Sequence, residues 1–219
     1  MKKNNLLLLI LLLLFFFVFG CQTSELKSKP EQVENIKKNN VSQKRNSQKK
    51  TLSKKHVIPS KILYLKYNIH VRDNGRDLKA HYTNWIGPFR GHAIVPVNTK
   101  VVVEKWRQGF ILKRTDTQQK IYFYFNRHDM MMSAGEYANI ITSPEKVLIS
   151  QFSNIDKKGI KRGKVYLGMS KKGVLAALGY PARHKTPSLK NRFWVYWKNK
   201  WMTRMIKFNN SGKVTSVVE

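Results

Sequence analysis

Six histidines, twelve carboxylates and one cysteine are the groups with which this 219-residue chain could do chemistry. The histidines stand singly, at His56, His70, His81, His92, His128 and His184. None forms an H-E-x-x-H pair or a Cys/His zinc pattern. His70, His81 and His92 could meet across neighbouring strands and bind a metal, but turn and surface histidines are the simpler reading. The few carboxylates never recur at a spacing that pairs them for acid–base work. Arg127-His128-Asp129 matches a kinase loop in letters only, with none of the accompanying machinery. Met130-Met131-Met132 could offer thioethers to copper, yet methionine more commonly fills core gaps or makes soft contacts. No glycine loop suited to cradling phosphate is present. The reading is therefore a non-enzyme with no cofactor, no metal and no catalytic set.

The cysteine is different. Lys2 and Lys3 precede an unbroken apolar run from Leu6 to Phe19. A helix that crosses a bilayer needs about 20 apolar residues, so fourteen suit the h-region of a signal peptide. The run ends in Val18-Phe19-Gly20-Cys21, which resembles a bacterial lipobox. That resemblance implies cleavage after residue 20 and diacylglyceryl transfer to Cys21. An exported chain with one cysteine would otherwise carry an unpaired thiol. One acyl chain holds a membrane only marginally, whereas several hold firmly. Gln22 follows, where the sorted lipoproteins of diderm bacteria use Asp for inner-membrane retention. The resemblance thus implies the outer membrane, with the chain facing the periplasm.

Residues 21–57 are rich in Ser, Asn, Gln and Lys. From residue 22 they hold ten Lys or Arg against three Glu. Such a composition cannot bury enough apolar surface to order itself, so a disordered basic tether is expected, drawn to anionic headgroups. Residues 58–219 carry 30 basic against 9 acidic residues. Aromatics among basic strands can also mark a nucleic-acid surface. Export argues against nucleic acid, and the 31 Lys against 11 Arg favour a diffuse field over a carved phosphate site.

The expected fold class is α+β. In 58–128, β-rich runs at 62–67, 99–106, 110–112 and 120–125, separated by Asp73-Asn74-Gly75 and Gln108-Gly109, predict a small barrel or meander. Ile94-Val95-Pro96-Val97-Asn98-Thr99-Lys100-Val101 resembles the "P-x-G-T-x-V" phrase of bacterial SH3-like barrels. Asn98 stands there for Gly, and Asn tolerates a left-handed backbone. Residues 129–159 read as a helical connector. Ser133 with Glu136 makes a capping box, and a second short helix is expected near Ser143-Pro144-Glu145.

The pattern sharpens from residue 160. Ser170 is an N-cap, Val174, Leu175 and Leu178 form one apolar face, and Gly179 with Pro181 ends the helix. Strands follow over 192–197, 201–208 and 213–218, with turns at 199–200 and 209–212. Gly168-Met169-Ser170, Leu178-Gly179-Tyr180-Pro181, Trp194-Val195-Tyr196-Trp197 and Phe208 to Val214 occur in the order of the SmpA/OmlA domain. The stretch 160–219 resembles that BamE-like family. The resemblance implies a helix packed on an antiparallel sheet and a part in outer-membrane assembly or maintenance.

Trp194, Tyr196 and Lys198 alternate to one face of their strand, and Phe193, Val195 and Trp197 to the other. One set must line the core. The candidate partner-binding residues are Trp194, Tyr196, Lys198, Trp201, Arg204, Arg183 and Lys185, since aromatics and Arg dominate interface energetics. A scaffold or assembly lipoprotein contacting another envelope protein is the leading expectation. The alternative is a binding module for lipopolysaccharide, anionic phospholipid or wall glycan.

Overall fold

A computed structural model describes residues 61–219. Cys21, the expected signal peptide and the expected basic tether lie outside the described residues. Strand β1 (Leu63–Leu65) leads to β2 (Ile69–Asp73) and a tight turn. There the Asp73 carboxylate accepts the Gly75 N–H at 2.7 Å, and Gly75 takes φ 87°, which side-chain-bearing residues avoid. The chain returns as β3 (Leu78–His81), and β4 (His92–Val95) flanks β2 on its other side. β5 (Lys100–Trp106), β6 (Gly109–Arg114) and β7 (Lys120–Tyr124) then run as a meander.

The eight-stranded sheet that results is curled, in the order β4-β2-β3-β7-β6-β5-β1-β8. It exceeds the meander expected for 58–128 in two ways. β7 closes on β3 in parallel, and the eighth strand, β8 (Thr142–Ser143), comes from beyond that boundary. Alternation decides the faces: Val71, Ala80, Leu112, Ile121 and Phe123 point inward and are buried. Two helices cap this core, α1 (Arg127–Met130) and α2 (Ala134–Ile141), contributing Met130, Tyr137, Ala138 and Ile141. The Ser133–Glu136 capping box forms as the spacing predicts.

The helix expected near Ser143-Pro144-Glu145 does not form. Ser143 is held extended, opposite Tyr64, and its hydroxyl accepts the Glu145 N–H to make a turn. Asn98 then fixes Val147, accepting its N–H and donating to its carbonyl. Helix resumes as a 3₁₀ turn at Ile149–Gln151 and as α3 (Asn154–Arg162), ended by Gly163 at φ 58°.

The second core is a helix on an antiparallel sheet. α4 (Lys171–Leu178) packs on β9 (Phe193–Trp197), β10 (Thr203–Phe208) and β11 (Val214–Val218), in sheet order β11-β10-β9. Buried Asp156 ties α3 to the start of α4. Its carboxylate accepts the Ser170 N–H at 2.7 Å and the hydroxyls of Ser153 and Ser170. A Cβ on Gly173 would lie 2.1 Å from Asp156, so this helical position must be glycine.

Asn68 joins the two cores and is 1% exposed. Its backbone N–H reaches Ala176 O at 2.9 Å, and its side-chain amide donates to Ile160 O and Ala177 O. Its carbonyl accepts the Val97 N–H. One side chain thus bonds helix-end carbonyls of both α3 and α4, adding to the Gly163 N–H on Ile160 O and His70 Nε2 on Ala177 O.

Candidate functional site

The C-terminal sheet assigns the aromatic alternation. Trp194 faces Ile206 across the ladder, and both share a core with Val174, Ala177 and Leu178 of α4. Trp194 is 1% exposed and Tyr196 0%. The Tyr196 hydroxyl donates to Gly179 O at 3.0 Å, and burial pushes its pKa well up. The Lys171 ammonium sits 5.4 Å from the Trp194 ring while donating to three carbonyls, those of residues 189, 190 and 191. Trp194 and Tyr196 are therefore core and are corrected out of the candidate surface. The helix needs a broad apolar face beneath it, and these are the residues large enough to fill it. Phe193, Val195, Trp197 and Met205 take the outer face instead.

The other candidates stay outside, in different places. Lys198 and Arg204 both donate to Glu219, whose carboxyl these two cations hold below its usual range. Arg183 and Lys185 lie on a turn beside the edge of β9, where Thr186 accepts the Val195 N–H. Trp201 stands alone. The expected strand from residue 201 starts at Thr203 instead, because the Asn199 carbonyl captures the N–H groups of Trp201 and Met202. Trp201 is thrown to the hairpin tip, 80% exposed, with Lys200 4.7 Å over its ring.

A built cavity lies on the outer face of the larger sheet. Across β2, β3 and β7, Arg72 is opposite Lys79 and Lys79 opposite Tyr122, while His81 is opposite Tyr124. The loop 82–91 folds over these residues and encloses about 220 Å³. Trp85, Phe89 and Tyr124 supply aromatic walls, and Arg72 and Lys79 line it with cations. The loop is strained, with Asn84 at φ 66° and Trp85 at φ 25°. A bulky residue at positive φ is unusual and persists only where its surroundings over-determine it. They do so here. Asn84 donates to Tyr180 O, and the N–H groups of Ile86 and Gly87 bond to the carbonyls of Trp197 and Lys198. A second recess shares His81 and Trp85, and continues past Thr83, Asp129 and His184 to Lys200.

The three histidines considered as metal ligands are brought to this region without converging on a point. His70 Nε2 must donate to Ala177 O, since a carbonyl only accepts, so His70 Nδ1 accepts from His92 Nε2 at 3.0 Å. Burial lowers the His70 pKa to about 4. His81 lies across the cavity, stacked on Trp85 with centroids 4.8 Å apart. Its Nδ1 meets the Thr83 hydroxyl at 2.7 Å and the Thr83 N–H at 3.4 Å. An N–H can only donate, so the neutral ring carries its proton on Nε2. Burial lowers the His81 pKa to about 4, against the opposing pull of Asp129. Asp129, from the Arg127-His128-Asp129 triplet, accepts from the Tyr82 hydroxyl. Met130 is core, Met131 exposed and Met132 partly buried. Among the described residues no cluster of three or more His, Cys, Asp or Glu could hold a metal ion.

Sequence reading missed Arg72, Lys79, Trp85, Phe89 and Tyr124 as a group. The strand periodicity places Arg72, Lys79 and His81 on outward positions. Nothing local reveals that the loop folds back over them.

No family model, curated protein or solved structure matches the chain.

Proposed function

We propose that this chain is an outer-membrane lipoprotein, anchored through Cys21 and facing the periplasm, that acts as a scaffold or assembly and maintenance factor by contacting another envelope protein. The lipobox-like end of the apolar run supports the anchor. The order of the SmpA/OmlA-like motifs, with a helix laid on three antiparallel strands, supports the family reading for 160–219. The observation that carries the contact reading is Trp201. It is 80% exposed on a hairpin tip ordered by Asn199, beside Met202 at 49%, so apolar surface is presented in a fixed place. Trp is among the residue types that anchor interfaces.

A photo-crosslinking residue at position 201, in cells, tests this. A discrete protein adduct supports the reading. Adducts only to lipid or glycan, fading as salt screens charges beyond about 8 Å at 0.15 M, overturn it in favour of an anionic-envelope binder. Mass spectrometry of the mature chain tests the anchor: a retained residue 1–20, or a Cys21 without acyl mass, overturns it.

A further inference from the structure

We propose that the cavity between the outer face of β2–β3–β7 and the loop 82–91 binds a compact apolar anion: a flat ring or short acyl group bearing one carboxylate, sulfonate or phosphate.

Size sets the first limit. A dry cavity of roughly 150 Å³ admits benzene, so about 220 Å³ takes a bicyclic ring or a short alkyl segment. Wall chemistry sets the second. Trp85, Phe89 and Tyr124 offer apolar surface and few polar partners. A sugar would bury hydroxyls there without satisfying them, which disfavours it. Charge sets the third. Arg72 and Lys79 are register neighbours on adjacent strands, both exposed, and neither has a carboxylate partner among the described residues. Two like charges side by side repel each other, and an anion between them relieves the repulsion. Arg72 lies 5.3 Å from the Phe89 ring, so the cation meets the cavity at its aromatic wall.

The fourth observation is a directional donor. With its Nδ1 engaged by Thr83, His81 keeps an Nε2–H that has no partner among the described residues. It lines the cavity with the two cations. Because His81 stays neutral, it donates without adding a third positive charge to be desolvated. The strain at Asn84 and Trp85 has a use in this arrangement, since it seats the indole as a wall against His81.

The test uses the full chain in zwitterionic nanodiscs, with empty discs subtracted. Titration calorimetry compares 2-naphthoate, octanoate, the uncharged 2-naphthylmethanol and inorganic phosphate. Saturable binding of 2-naphthoate or octanoate, well above that of the neutral ring and of phosphate, is expected. Preference for the ring points to an aromatic metabolite, and preference for octanoate to a fatty acyl source. Arg72→Gln and Lys79→Gln should each weaken anion binding about tenfold and leave the neutral ring unaffected. Both sites are exposed, so an unchanged melting temperature serves as the folding control. Trp85→Ala should weaken charged and neutral rings alike. Absence of saturable binding by both organic anions overturns the proposal, as does equal binding by the Arg72→Gln/Lys79→Gln double variant. Position 201 is on the other sheet, so the crosslinking result stands or falls separately.

Discussion

The two sheets dispose of their outer faces in opposite ways. The outer face of β2–β3–β7 carries a strained loop that forms a half-open cavity lined by aromatic walls, a neutral histidine and two exposed cations. Among the described residues the outer face of β9–β11 has no such loop over it, and it ends in an exposed tryptophan at a hairpin tip. A roofed face suits a small ligand taken out of water, while an open face with a projecting ring suits a macromolecule. The aromatics follow the same division: Trp85 is committed to an internal wall, Trp194 to the core beneath α4, and Trp201 to solvent.

Three tryptophans in three settings should respond to truncation very differently. The largest effect is expected at Trp194, where Trp194→Ala opens a cavity under α4 and should cost about 3–5 kcal/mol. Denaturant unfolding measures this, and a loss below about 1 kcal/mol would return Trp194 to the surface.

Asn68→Ala comes next. It leaves the Val97 N–H without its partner and takes one of two donors from the carbonyls of Ile160 and Ala177, which keep the Gly163 N–H and His70 Nε2. One buried orphan costs about 1–3 kcal/mol, so about 2 kcal/mol is expected. This variant also sharpens the comparison of sheets. Asn68 couples the two cores, so its loss should split one cooperative transition into two, visible as non-coincident fluorescence and circular dichroism curves. Coincident curves would show that other contacts suffice.

Much of this division was legible in the residues, and the reasons are local. Ser133–Glu136, Ser170 with Gly179, and Asp73-Asn74-Gly75 signal their caps and turns through interactions within a few positions. Strand alternation separated Trp194 and Tyr196 from Phe193, Val195 and Trp197 but could not say which set was covered. Burial is decided by what α4 lies on. α3 was absorbed into a connector although Ser153 and Gly163 bracket it, because its apolar stripe is thin. The cavity was not legible at all. Its members come from three strands and a loop, and what assembles them is long-range: Asn84 on Tyr180 O, and Ile86 and Gly87 on Trp197 and Lys198.

Acid offers a third way to probe the roofed side. His70 titrates near pH 6.5 when unfolded and at about 4 when folded, because it is buried against His92 and Ala177 O. Between these values unfolding takes up a proton, so stability is full above pH 6.5 and is lost as pH falls toward 4. The loss reaches as much as about 3 kcal/mol at 1.36 kcal/mol per pKa unit. His81, facing Asp129 and Trp85, adds a smaller part with the same sign. His70→Asn should flatten the slope over this window, and an equally steep slope in that variant would assign it elsewhere.

The smallest effect on stability is expected at Trp201, and it is the sharpest test of the open face. The ring is 80% exposed and lies under the Lys200 ammonium, an exposed pair that contributes about 0.5–1 kcal/mol at most. The hairpin itself is set by the Asn199 carbonyl and by the bond from Lys198 N–H to Met202 O at 2.7 Å, neither of which needs the indole. Trp201→Ala should therefore shift unfolding by under about 1 kcal/mol. If the tip anchors a partner, the same change should lower capture by thirtyfold or so, since truncating a true anchor costs about 2 kcal/mol or more. Asn199→Ala separates the ring from its placement. It keeps the tryptophan but frees the tip, so an anchor that depends on pre-ordering should weaken by a lesser factor while the fold holds. Equal capture by wild type and Trp201→Ala, measured by co-purification from crosslinked membranes, would remove the tip from function. The open face would then differ from the roofed one only in being uncovered.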